Sequence, residues 1–302
     1  MNPTVQLLQF LLLANFPSGS SINYYENKLY LLGDDARVIL ILDPHYNVVD
    51  SMRLFDYPEK RISKSQKVDL ESSAIVTIAG NKHLLALGSA STNDRKKTLL
   101  VPLTGDGAID YSKPVVSNSI TTFVDRLTPG GVKVVNIEGA SVMHHSLILA
   151  NRGNRNYPNN HLIVTEEDFW NRQKEAALRV IPIELVGTQS EFLGISELCY
   201  VESKDMLLFT FTTELTNNAY DDGMIGSSYI GWVNSVTTKL KKTKLTLDGL
   251  VNLSDASNEF KNQKIEGICV ERVNDNELLL HLISDNDNGE SKLFKTLLKF
   301  NP

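Results

Sequence analysis

Cysteine is scarce. The 302-residue chain has two, Cys199 and Cys269, and no CxxC, CxxH or HExxH pattern. This argues against a disulfide framework and against a zinc site. The two thiols read as small buried hydrophobes. A GxSxG elbow and a glycine-rich phosphate loop are also missing, so neither signature of nucleophilic or nucleotide chemistry is present. Positive charge is in deficit. The net charge of −6 argues against a nucleic-acid surface. The cluster Lys239, Lys241, Lys242 and Lys244 reads as a solvated strand edge.

Long apolar runs are lacking too. The apolar stretch from Val5 to Ala14 is too short to span a bilayer. It has no basic leader before it and no small-x-small cleavage site after it. It therefore reads as a strand. The expected setting is cytoplasmic, or periplasmic if a leader has been removed, with neither membrane nor nucleic acid as a partner.

What the chain does have is a repeat. Five stretches align without gaps: SGSSI from Ser18, ESSAI from Glu71, EGASV from Glu138, ELCYV from Glu197 and EGICV from Glu266. A polar turn follows each, then a second apolar strand that ends in polar residues. Third strands are expected at 38–42, 98–103, 161–164, 228–233 and 293–298. Fourth strands are expected at 48–54, 113–116, 178–186 and 241–247. Short strands punctuated by turns and repeated with a long period spell an all-β propeller. Five blades are expected within one domain, 1–302, with a six-bladed ring the runner-up.

The starts are 53, 67, 59 and 69 residues apart. Thirty-six residues follow Glu266 and seventeen precede Ser18; joined, they match the first spacing of 53. The strand at 5–13 is therefore expected to complete the last blade. Two helices interrupt the pattern: one capped by Thr165 over EEDFWNRQKEA, and a short one at 120–127. DNDNG at Asp285–Gly289 fails as an EF-hand loop, because Lys295 falls at the twelfth position. His144 and His145 sit in a turn at the far end. His45, His83, His161 and His281 show no partner pattern.

In a blade the first strand lines the channel. Its first residue and the last residues of the second strand meet at one mouth. Glu71, Glu138, Glu197 and Glu266 should thus converge with Ser18, Asp34, Ser89, Asn151, Arg152, Thr212 and Asp285. Carboxylates so crowded raise one another's pKa. A hard cation such as Ca²⁺, held by the four glutamates, would relieve them, as would Arg152, Lys67 or Arg37. Alternatively the glutamates accept backbone N–H groups of a neighbouring blade and lock the ring. Ser18, Ser89, Asn151 and Thr212 would then line a site for a small molecule or short polymer.

The motifs FPSGSSI…LLGDD, VDLESSAI, VNIEGASV…LANRGN and KIEGICV resemble an uncharacterised family of bacterial β-propellers, over most of the chain. More distantly the chain is similar to phytase-like esterase propellers and other calcium-dependent propeller hydrolases. That likeness implies metal-assisted hydrolysis of an ester, lactone or phosphate. Asp34 or Asp285 would be the base, and Arg152 would stabilise negative charge. Those enzymes usually have six blades, and their catalytic histidines find no match here. The alternative is a propeller that binds carbohydrate, peptide or protein without chemistry.

Overall fold

The structure is a computed structural model that describes residues 3–185, 191–214, 225–285 and 289–300. Residues 215–224, and Asn286 and Asp287, lie outside the described residues. Strand β1 (Thr4–Leu13) comes first. Blade one is β2 (Gly19–Tyr25), β3 (Lys28–Gly33), β4 (Val38–Leu42) and β5 (Val48–Arg53). Blade two is β6 (Leu70–Ile78), β7 (Asn81–Gly88), β8 (Lys97–Pro102) and β9 (Val116–Ser119). Blade three is β10 (Ile137–Met143), β11 (Ser146–Asn151), β12 (His161–Glu166) and β13 (Arg179–Glu184). Blade four contains β14 (Leu193–Val201), β15 (Met206–Glu214) and β16 (Ile225–Asn234). After β17 (Leu245–Thr246) comes its outermost strand, β18 (Gly249–Asn252). Blade five is β19 (Lys264–Val273), β20 (Glu277–Asp285) and β21 (Ser291–Lys299).

These sheets form a five-bladed β-propeller. The inner strands β2, β6, β10, β14 and β19 touch in that cyclic order. Five clusters of buried Leu, Ile, Val and Phe fill the wedges between successive blades. Their removal from water is the main stabilising term. The ring closes as the lengths required: β1 pairs antiparallel with β21 and becomes the outermost strand of blade five.

Polar side chains fasten the blade junctions. Asn160 accepts the N–H of Ile195 at 3.1 Å and donates to the Leu193 carbonyl at 2.7 Å. Ser228 does the same for Ile265 and Gln263, at 3.1 and 2.7 Å. Ser291 accepts the Gly19 N–H and donates to the Phe16 carbonyl, both at 2.8 Å. The closing seam between blades five and one carries a further link. Buried His281 Nδ1 meets Tyr46 Oη at 3.0 Å, and its Nε2 meets Glu271 at 2.8 Å. Burial holds its pKa down to about 4. The unfolded chain takes up that proton first, near pH 6.5. Stability from this group is thus present above about pH 6.5 and is lost as pH falls toward 4, by about 3 kcal/mol. Urea unfolding of wild type and His281→Gln across this range should show the wild-type decline shallower in the variant.

Three sequence expectations are corrected. The helix capped by Thr165 does not form. Thr165 is buried in β12 opposite Leu147, and only a 3₁₀ turn at Phe169–Asn171 follows. The fourth strand of blade four is β18 rather than 241–247. Leu245 and Leu247 alternate like a strand because they are buried between blades three and four, and β17 joins β13 of blade three. Of the lysine cluster, Lys239 ends a short helix, Val236–Lys239, and ion-pairs with Asp248; the rest follow in a turn rather than on a strand edge. The short helix expected near 120–127 is present at Thr121–Val124. Among the described residues, no helix is long and apolar enough to cross a membrane.

Candidate functional site at the channel mouth

Every inner strand leaves one backbone edge without a strand partner, and every one carries an irregularity near its start. The pairing shifts between Gly19 and Ser21, Leu70 and Ser72, Ile137 and Gly139, Ile195 and Glu197, and Ile265 and Gly267. The extra residues are Ser20, Glu71, Glu138, Ser196 and Glu266. A bulge re-aims its side chain. Glu71, Glu138 and Glu266 are therefore equivalent, and they sense one another's charge. Ser18 and Glu197 are out of step with them.

Glu197 stands one residue beyond its bulge, at the position of Ser21, Ser72, Gly139 and Gly267. Those four are small, and Glu197 fills space they leave. A Cβ on Gly139 would come within 2.8 Å of its Oε1. Oε1 accepts the N–H groups of Ala140 and Leu198, each at 2.9 Å, and Oε2 meets Ser21 at 2.7 Å. Ser21 continues to Ser73 at 2.7 Å, and Asn23 reaches Ser73 at 2.6 Å. Burial pushes Glu197 well above the usual carboxyl range, against its hydrogen bonds. This glutamate ties four blades together. Nearby, the Cys199 sulfur accepts the Val270 N–H, and burial raises its pKa to about 12.

The mouth is made by the residues that end the second strands and those that enter the first. Asp34, Ser89, Arg152, Thr212 and Asp285 form the first set, as expected. Asp69, Asn136 and Lys264 belong to the second, and were not anticipated. Their signal was in the sequence: each stands two residues before a bulge glutamate, in DLE, NIE and KIE. Lys264 pairs with Glu266 at 2.7 Å, and Asn136 donates to Glu138 at 2.5 Å. Arg152 lies 3.7 Å from Glu138 and donates to Thr212 at 3.0 Å. It fits only because residue 194 is glycine, where a Cβ would lie 2.5 Å from its Nε. Asn151 accepts the Asn136 N–H at 2.8 Å and so braces the strand entry. Ser89 donates to Asp69 at 2.5 Å. Ser18 lies 3.4 Å from Arg61. Arg37 bonds the carbonyls of Tyr57 and Pro58, away from the carboxylates.

One group stands apart. Oxygens of Asp34, Asp69 and Glu71 lie within 4.8 Å of one another. Lys67 pairs with Asp34 and, at 2.9 Å, with Asp69. Arg95 takes the other Asp69 oxygen at 2.7 Å. Glu71 makes no hydrogen bond or ion pair to the described residues and remains half-buried in the channel. Burial first, then Asp69, Glu138, Asp34 and Glu266, raise its pKa well above the usual range. Burial also lifts Asp34 to about 6, with Lys67 pulling the other way. Although burial opposes it, the carboxylates push the Lys67 pKa up. Asp34 and Lys67 also line a pocket of about 230 Å³, together with Asp35, Arg61, Lys64 and Asp285.

Residues 15–298 match the model of a family of unknown function, DUF6929. The chain belongs to this family. The DUF6929 match spans all five blades and carries no activity with it. No curated protein is similar in sequence. Among solved structures, Myxococcus xanthus glutaminyl cyclase is 13% identical with a TM-score of 0.54, over 99% of this chain and 98% of that one. The tail fiber of Staphylococcus aureus phage P68 is 12% identical with a TM-score of 0.53, over 99% of this chain and 53% of that one. At such identity these likenesses speak for the fold of this DUF6929 member alone.

Proposed function

We propose that the channel mouth binds a small polar molecule and exchanges protons with it through Glu71 and Asp34. Glu71 carries this reading. It is a carboxyl inside a channel that makes no hydrogen bond to the described residues, pressed by negative neighbours and with the Lys67 ammonium, already held by Asp34 and Asp69, as the nearby positive charge. The blades are fastened by Asn160, Ser228, Ser291 and Glu197, so structure makes little demand on it. A carboxyl whose pKa is raised by burial and negative neighbours, beside one that titrates near 6, is the pairing that general acid–base catalysis uses. Hydrolysis of an ester or lactone suits this pair best. Asp34 draws a proton from water, Glu71 protonates the leaving oxygen, and Arg61 at the rim faces the developing negative charge. The similarity to phytase-like esterase propellers belongs with this reading.

Calcium is the second reading, favoured by the 4.8 Å grouping of three carboxylates. Lys67 and Arg95 already occupy Asp34 and Asp69, so the arrangement fits a divalent ion only with Lys67 swung aside. No step here depends on one.

A panel of esters and lactones, assayed with and without Ca²⁺, tests the proposal. Turnover should fall as pH drops through about 6, because Asp34 then takes up a proton and ceases to be a base. Glu71→Gln should lower turnover by roughly 100-fold or more while unfolding like wild type. Ligand binding without turnover would make this a binding propeller. Turnover indifferent to Glu71→Gln would remove the catalytic assignment.

A further inference from the structure

Outer strands of a propeller are sheet edges, and edges invite pairing unless something blocks it. Four of the five outer strands here are blocked. β5 carries Asp50 and Arg53; β9 and β18 are four residues long; β13 carries Arg179, Pro182 and Glu184 and is partly covered by β17. β1 differs. It is ten residues, TVQLLQFLLL, with neither charge nor proline, and the first charged side chain of the whole sequence is Glu26. Val5 and Leu7 pack into the wedge toward blade four, and Leu11 and Leu13 into the wedge toward blade one. Leu8, Phe10 and Leu12 remain 48, 46 and 49% exposed at this edge. The single protective device is a bulge at Leu8. Beyond it, Gln9 to Leu13 runs in unbroken register.

We propose that the β1 edge pairs antiparallel with β1 of a second copy of this chain. A partner strand here must be uncharged along its length and apolar on one face, since an unmatched charge opposite Phe10 or Leu12 would be costly. β1 itself meets that requirement. With a two-fold axis at Leu11, Phe10 lies opposite Leu12 of the second copy, and Gln9 opposite Leu13. The pairing falls entirely beyond the bulge. It is isologous, so it consumes both edges and stops at two copies. The nearest cation, Lys292, sits 5.2 Å from the Phe10 ring and is held by Glu259 at 3.3 Å. Two such neutralised pairs do not repel across the axis.

Sedimentation velocity over a wide concentration range tests this. Wild type should show a reversible monomer–dimer equilibrium. Phe10→Lys and Leu12→Lys should each weaken it about tenfold or more, because each change counts twice in a symmetric interface. Both side chains are about half exposed, so circular dichroism and melting of the monomer should stay close to wild type. Val49→Lys, a comparably exposed valine (51%) on β5, is the control and should leave the dimer intact. Wild type that stays monomeric throughout overturns the proposal, including the case where the monomer instead floats with phosphatidylcholine vesicles. So does a dimer indifferent to both β1 substitutions.

Discussion

Glu197→Ala is expected to destabilise the protein by about 3–5 kcal/mol, whereas Glu197→Gln is expected to stay within about 1 kcal/mol of wild type. The alanine leaves the Ala140 and Leu198 N–H groups and the Ser21 hydroxyl without their acceptor, in a buried place. Each such loss costs about 1–3 kcal/mol, and the vacated space adds to it. The glutamine keeps an oxygen for both N–H groups. Its amide donates to Ser21, whose hydroxyl then turns to Ser73. It also removes a proton-uptake cost. The folded chain holds Glu197 with a raised pKa, so its contribution is present below about pH 4.5 and is lost as pH rises through the folded value. Glu197→Gln should therefore gain on wild type at pH 8 relative to pH 5. Chemical denaturation of the three proteins at both pH values measures this. Equal damage from alanine and glutamine would mean that an ionised carboxylate is required.

Removing residues 1–13 is expected to cost the chain its fold. Val5, Leu7, Leu11 and Leu13 pack against two inter-blade clusters. Together with the ladder to β21 their loss amounts to roughly 5 kcal/mol or more, comparable with the whole stability of many domains. β21, a nine-residue strand, would become a bare edge, so the truncated protein should aggregate. A synthetic peptide spanning Thr4–Leu13 should restore solubility and the far-ultraviolet spectrum when added during refolding. A truncated chain that stays monomeric with an unchanged melting temperature would mean that the ring does not depend on its N-terminal closure.

The ring was legible because each blade must begin with small residues ending in Ile or Val, and because the two chain ends together make one blade. The register was less legible. A bulge is a backbone event that Ser tolerates as well as Glu, so Ser20 and Ser196 were hidden behind the more conspicuous Ser18 and Glu197. Glu197 shows the consequence: one step along a strand turned a mouth residue into a tie across the channel. The residues ending the second strands were found, since polarity breaks sharply at Asp34, Arg152 and Asp285. Asp69 and Lys264 are hard to read from the sequence, because polar residues entering a strand look like loop. His281 was invisible for another reason: its partner Tyr46 lies 235 positions away, and one histidine in an apolar strand announces no partner.

The role assigned to Glu71 stands or falls with its protonation state. Infrared difference spectra of wild type against Glu71→Gln at pH 7 isolate that one carboxyl without any substrate. The expected result is the C=O stretch of a neutral carboxylic acid, vanishing in the variant and retained well above the ordinary carboxyl range as pH rises. A pair of carboxylate bands at pH 7, titrating near the ordinary value for glutamate, would contradict the account.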